Sequence, residues 1–401
     1  MGKPNMLFSP FIAYCITFTI ALLVYLLNWS YLYPNLSWVL IVFFLATFII
    51  SVITAFFLRP FNIFKYKRQT SAVPRYAIVF LIAGYILEFA YSRTVPFLSI
   101  ASGLSTYEET RVDFGIPTFH VILVGYTTFI SVFYYHSYIT QKRRKFLFFF
   151  IITLILPLLI MSRITITFIV ISCFYVYLMS IRRKVFQKLL KITAFCMLFL
   201  FGFGLLGNIR TAADVSADDV FLAIGDARDS FRESWVPKSF FWAYIYISSP
   251  IANLQLTMDQ PVYNPSSQTG TKDFIIHEFF WDAISRRYDK AKNVEPISFT
   301  QINNAFNVGS IFARSYVYMG VPGICCMYLF IWLVSIIFTL QLNAKSKYYV
   351  TYMATFNALI FLCVFDNMLT FTPFSIIGIA FPLVEKIVLL FRTRMQVNNG
   401  D

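Results

Sequence analysis

Along this chain, long apolar runs alternate with short basic links, and one polar stretch interrupts the pattern late in the sequence. The hydrocarbon core of a bilayer is about 30 Å thick and takes roughly 20 apolar residues as helix. On that measure the runs at about 10–29, 37–58, 76–92, 118–140, 146–161, 164–181, 192–207, 317–341, 348–369 and 374–391 predict about ten membrane spans. The polar stretch runs from Asn208 to Tyr316 and carries ten Lys/Arg and twelve Asp/Glu. The pattern therefore predicts an all-α polytopic integral membrane protein in three parts. These are an N-terminal bundle over 1–207 with about seven spans, a large loop over 208–316, and C-terminal helices and tail over 317–401 with about three.

Composition rules out a water-soluble fold. Hydrophobic residues make up 58% of the 401, charged residues 13%, and mean hydropathy is +0.68, so too little polar surface is available to cover the molecule. The net charge of +14 does not point to nucleic acid, because the excess lies in short clusters between spans. With the N-terminus cytoplasmic, the inner links hold nineteen Lys/Arg and the short outer loops hold three, Arg93, Arg111 and Arg163. That bias predicts both termini inside and the large loop outside. The apolar segment 239–256 would invert every later element if it crossed, so it is predicted to be re-entrant or interfacial, broken at Pro250. The first run lacks a small-residue cleavage site and is long enough to span, so no cleavable signal peptide is expected. The six cysteines all fall in apolar runs, giving neither a disulfide framework nor a metal-ligand spacing.

Charges in or beside spans need a reason. Arg163, in Ser162-Arg163, is the polar break in an apolar run from Phe146 to Ile181, and so marks an outer hairpin. It is either a snorkelling turn marker or an anion ligand, since a guanidinium pairs bidentately with phosphate and keeps its charge. Arg210, Arg314 and Arg111 are placed at the same face, a set suited to a lipid-linked diphosphate or to lipid headgroups. Glu88 and Asp366, beside Asn367, are acids on that side; each is a candidate general base or an ion-pair partner of an arginine. His277-Glu278 lies in the loop, where a histidine titrates near neutral pH, whereas His120 and His136 fall in a span and are expected to be packed and hydrogen-bonded. Phosphate-binding loop, serine-hydrolase and zinc-protease motifs are absent, no metal or cofactor is implied, and the first outer loop lacks the carboxylate motif of a metal-dependent oligosaccharyltransferase.

Three features resemble the bacterial repeat-unit polymerases of the O-antigen (Wzy) type, which are related to the O-antigen ligases. They are Ser162-Arg163 at an outer hairpin, a large outer loop with an arginine at its start, and Asn307-Val308-Gly309 through Tyr316-Val317-Tyr318-Met319-Gly320-Val321-Pro322-Gly323. The last is similar to the family's acidic-Gly-x-x-Gly turn, with Met319 in place of the acid. The resemblance implies a GT-C-like polymerase/ligase membrane fold in the bacterial inner membrane. It also implies a metal-independent glycosyltransferase that moves a growing undecaprenyl-diphosphate-linked glycan onto a new lipid-linked repeat unit at the periplasmic face. Its partners would be the lipid-linked oligosaccharides, the bilayer, a chain-length regulator and a flippase. In that scheme Arg163, Arg210 and Arg314 stabilise the departing diphosphate, Arg111 lines the same mouth, and Arg286-Arg287 hold donor or acceptor. His277, Glu278 or Asp366 deprotonates the attacking hydroxyl, and Trp235, Trp242, Trp281 and Tyr288 stack on sugars or anchor at the interface. The alternatives are an O-antigen ligase of the same fold and, from another class, a lipid-linked oligosaccharide flippase; a flippase would show matched bundle halves, which this chain lacks.

Overall fold

A computed structural model describes residues 6–59, 64–70, 76–102, 104, 114–181, 190, 217–260, 267–293, 297–343 and 345–388. Arg111, Arg210 and the apolar run at 192–207 lie outside the described residues. The apolar runs fold as helices: α1 (Pro10–Tyr25), α2 (Trp38–Leu58), α3 (Tyr76–Ser92), the short α4 (Pro96–Ala101), α5 (Phe119–Gln141), α6 (Arg144–Leu159) and α7 (Arg163–Ser180). The loop supplies α8 (Ala217–Ile224), α9 (Asp229–Arg232), α10 (Phe240–Met258), α11 (Ser267–Phe279) and α12 (Asp282–Lys292). Then come α13 (Ser310–Gln341), α14 (Tyr349–Leu362) and α15 (Thr372–Ser375), which continues through a π-helical turn at Ile376–Ala380. No strand occurs among the described residues; a single bridge joins Ser30 to Ala227.

Local sequence sets where these helices begin. Ser9 caps α1, its hydroxyl accepting from the Ile12 amide at 3.3 Å with Pro10 as the first helical residue, and Ser37 caps α2 by accepting from Leu40 at 3.3 Å. Three helices are long and apolar enough to cross a bilayer: Trp38–Leu58, Arg163–Ser180 and Ser310–Gln341. Pro10–Tyr25, Tyr76–Ser92 and Tyr349–Leu362 are shorter apolar helices. Their outward faces carry exposed Leu, Ile, Val and Phe, while Tyr14, Phe18, Phe44 and Phe312 interlock inside. Such a hydrophobic exterior is what lipid, rather than water, accommodates.

The two ends of the bundle differ in chemistry. At one, the basic links meet: Lys67 Nζ donates to the Lys345 carbonyl at 3.4 Å, the Lys65 amide to the Tyr349 hydroxyl at 3.3 Å, and buried His136 Nε2 to the Lys67 carbonyl at 3.0 Å. His136 thus has the packed, hydrogen-bonded role expected of it. At the other end the large loop docks on the helix termini. The Arg228 amide donates to the Trp29 carbonyl and Tyr31 to that of Asp226, both at 2.8 Å, and the ring of Tyr33 stacks on Tyr244.

The segment 239–256 departs from expectation. It is one continuous helix, α10, with Pro250 inside it rather than a break there. Its residues are largely buried against α1 and α13. The fully buried Asn253 shows why it stays put: its amide donates to the carbonyls of Phe306 and Val308 at 2.6 and 2.8 Å, and its oxygen accepts from Ile302 at 2.8 Å. Both donors and the oxygen of that side chain are used in latching 302–308 onto α10.

Helix α13 is two helices across a sharp bend. Gly320 has φ 63° and ψ −143°, a conformation open to glycine alone. A Cβ at Gly323 would run into the Ser315 carbonyl, and Pro322 sits where the second segment's first turn needs no amide. The Gly320-Val321-Pro322-Gly323 stretch is therefore the turn that lets 310–319 cross the bundle mouth before 321–341 descends.

Candidate functional site

The charged centre of the mouth is Arg314, on the short first segment of α13. Its Nη2 donates to Asp366 Oδ1 at 2.8 Å, and its Nε lies 3.4 Å from Glu278 Oε1. Side-chain exposure grades from 0% at Glu278 through 34% at Arg314 to 54% at Asp366. The arginine thus links a buried acid to one that faces out.

Three elements fix this arrangement. Glu278 is the penultimate residue of α11, Arg314 follows Ser310 and Ile311, whose amides donate to the carbonyls of Phe365 and Cys363 at 3.2 and 3.0 Å, and Asp366 stands in the turn after α14. Asp366 Oδ1 also accepts from the Asn367 amide at 2.7 Å, which orients the carboxylate. Asn367 completes the link, its Nδ2 donating to the Glu278 carbonyl at 2.9 Å and to Oε2 at 3.1 Å.

The electrostatics are those of one cation shared by two acids. Burial pushes the Glu278 carboxyl up from its ordinary range; Arg314 and Asn367 pull it partly back, and Asp366 adds to the rise. Glu278 Oε1 and Asn367 Oδ1 are both buried with no hydrogen-bond partner. Glu278 Oε1 keeps the Arg314 ion pair at 3.4 Å, whereas Asn367 Oδ1 is an acceptor left open to a donor.

His277 stands apart from this centre. Its Nδ1 faces the Asp273 carbonyl at 2.8 Å and its Nε2 faces Asp289 Oδ1 at 2.7 Å, while the ring stacks on Tyr318. Both ring nitrogens are thus engaged within the α11–α12 pair. In this geometry His277 braces α11 against α12. Tyr288 adds to the brace by donating to Asp273 Oδ1 at 3.4 Å.

The other expected ligands are dispersed. Arg163 is the exposed first residue of α7; stacking of Phe168 on Phe374, with ring centroids 4.1 Å apart, packs α7 against α15. Arg286 pairs with Asp282 at 3.1 Å on the surface, and Arg287 is exposed. Trp242 stacks flat on Phe221, ring centroids 3.4 Å apart, so it is core rather than a sugar platform; Trp235 is exposed. Residues the sequence did not single out are Asp282 and Thr372, which join the start of α12 to that of α15 through the Asp282 carboxylate, and Asp289. Their partners lie up to 90 residues away, and no local pattern announces such pairs.

A second acid–base pair lies elsewhere. Fully buried Glu88 on α3 meets His120 on α5, Oε2 to Nδ1 at 2.8 Å, and its Oε1 has no hydrogen-bond partner. Among the described residues no group of three His, Cys, Asp or Glu could hold a metal ion.

No protein-family model matches this chain, and no curated protein or solved structure matches it.

Proposed function

We propose that this chain is a membrane glycosyltransferase that polymerises lipid-linked repeat units, an O-antigen-type polymerase of about ten spans. Both termini would be cytoplasmic and the docked loop periplasmic, as the distribution of Lys and Arg implies. The observation that carries the reading is the Glu278–Arg314–Asp366 link at the end of the bundle opposite the basic clusters.

In the reaction, a hydroxyl of the incoming repeat unit attacks the anomeric carbon of the growing glycan. The new C–O bond forms as the bond to the diphosphate oxygen breaks, and undecaprenyl diphosphate leaves with the electron pair. The exposed Asp366 carboxylate takes the hydroxyl proton. Arg314 holds that carboxylate in place, and Glu278 and Asn367 present acceptors to sugar hydroxyls. Because Arg314 is already shared by two acids, the site suits the acceptor better than the anionic leaving group. Arg163, with Arg111 and Arg210, is the proposed diphosphate set.

The test is a gel of surface lipopolysaccharide from a deletion strain, with and without the gene restored. Core carrying a single repeat unit, with the ladder above it gone, is the expected result. Bare core in the deletion strain would replace this reading with a ligase or a flippase, and an unchanged ladder would remove the O-antigen assignment.

A further inference from the structure

Helices α11 and α12 form an antiparallel hairpin, as their paired contacts show: His277 meets Asp289 and Tyr288 meets Asp273. Helix α11 runs down the side of α13. Phe274 and His277 touch Tyr318, just before the Gly320 bend, and Phe279 packs on Phe330 with ring centroids 4.7 Å apart. Phe330 lies nine residues beyond Val321, roughly 14 Å along the descending helix at 1.5 Å per residue. The hairpin's corner, at Phe280 and Trp281, is tied to the segment after α14 by the Asp282 amide, which donates to the Thr370 carbonyl at 2.9 Å, and by the Ala283 amide, which donates to Thr372 at 3.2 Å.

From this corner α12 returns toward the mouth, and the outward side chains change character along the way. Phe280 is 48% and Ile284 47% exposed, both apolar and nearest the corner. Arg286, Arg287, Lys290 and Lys292 follow, all exposed. The helix's acids do not interleave with them. Asp289 is turned inward to His277, and Asp282 to Thr372 and Arg286. Arg287, Lys290 and Lys292 form no ion pair among the described residues. A solvated face ordinarily mixes both signs; this one runs from hydrocarbon-compatible to purely cationic, the order met on passing from acyl chains to phosphates.

We infer that the α11–α12 hairpin dips into the outer leaflet beside α13. Phe280 and Ile284 would stand among acyl chains, and Arg287, Lys290 and Lys292 would bind the phosphates of anionic phospholipid headgroups. This rests on the proposed orientation, with the loop periplasmic, and not on the reaction proposed above. Each cation held at an anionic surface is worth about a fivefold gain in binding.

Two measurements on the full-length protein in vesicles test it. Spin labels are placed singly at Phe280→Cys, Ile284→Cys and Lys290→Cys, with the six native cysteines replaced by alanine, and their collision rates with oxygen and with a water-soluble nickel complex are compared. Oxygen should dominate at 280 and 284 and the nickel complex at 290; nickel access equal at all three would place the hairpin in water and overturn the inference. Separately, retention of phosphatidylglycerol through purification is measured for Arg287→Gln/Lys290→Gln/Lys292→Gln, beside the charge-keeping triple variant Arg287→Lys/Lys290→Arg/Lys292→Arg. A loss of at least about tenfold in the first, with retention kept in the second, is expected. Unchanged retention in the glutamine variant would refute phosphate binding, and equal loss in both would show that fold, not charge, sets retention.

Discussion

Glu88 and Glu278 are both fully buried carboxylates, each beside one basic side chain and each with one oxygen lacking a hydrogen-bond partner. They differ in what lies one bond further out. Glu88 ends at His120. Glu278 continues through Arg314 to Asp366, whose side chain is 54% exposed, and is held on its other oxygen by Asn367. A buried acid with a single partner fastens two helices, here α3 and α5. A buried acid that fixes a cation, which in turn fixes an exposed carboxylate, builds a surface group of defined position and charge. Under the proposed function, coupling of a buried acid to an exposed one, rather than burial alone, marks the chemistry.

The largest expected effect comes from cutting the link at its centre. Arg314→Ala leaves a buried and an exposed acid without their shared cation, and removing one member of a buried pair costs about 3–5 kcal/mol. Polymer should disappear and thermal stability should fall. Normal polymer from this variant at wild-type protein level would remove Arg314 from the site.

A smaller effect is expected from moving Arg314 without altering it. Gly320→Ala forces a residue with a Cβ into φ 63°, ψ −143°, at a cost of about 1–3 kcal/mol. It should shift the segment 310–319 and lower transfer activity while the Glu88–His120 contact stays intact. Differential cysteine accessibility at the mouth and at α3 would read this, and equal disturbance at both would show that the bend serves the whole bundle.

The smallest expected effect is a change in pH dependence. Burial raises the Glu278 carboxyl above its unfolded value, so between those two values the folded protein binds more protons. Stability contributed by this group is present at low pH and is lost as pH rises through that window. Glu278→Gln should flatten this part of the pH–stability curve, read by thermal unfolding in detergent. A slope identical to wild type would mean that the carboxyl stays ionised beside Arg314.

Much of the fold is legible in the sequence. The run at 76–92 became a helix with those bounds, and the basic links at 65–68 and 345–347 do meet at one end. This succeeds because helix in lipid depends on local apolar length, which a sequence displays directly. Segment 239–256 shows the limit: Pro250 reads as a break, but buried packing and the Asn253 latch hold one helix through it. The site was legible only as a set of residue types. Glu278, Arg314 and Asp366 stand out as charges in an apolar chain, but nothing local shows that they meet, or that His277 spends both nitrogens on Asp273 and Asp289.

The most direct test sets the two buried systems side by side in the cell. Asp366→Asn and Glu88→Gln are expressed at matched levels in the deletion strain, and the lipopolysaccharide ladder is scored. Asp366→Asn should leave core with a single repeat unit, since losing a positioned base costs about 10²–10⁴ in rate, whereas Glu88→Gln should keep a full ladder. A full ladder from Asp366→Asn, or the same collapse from both variants, would contradict the assignment of chemistry to the Glu278–Arg314–Asp366 link.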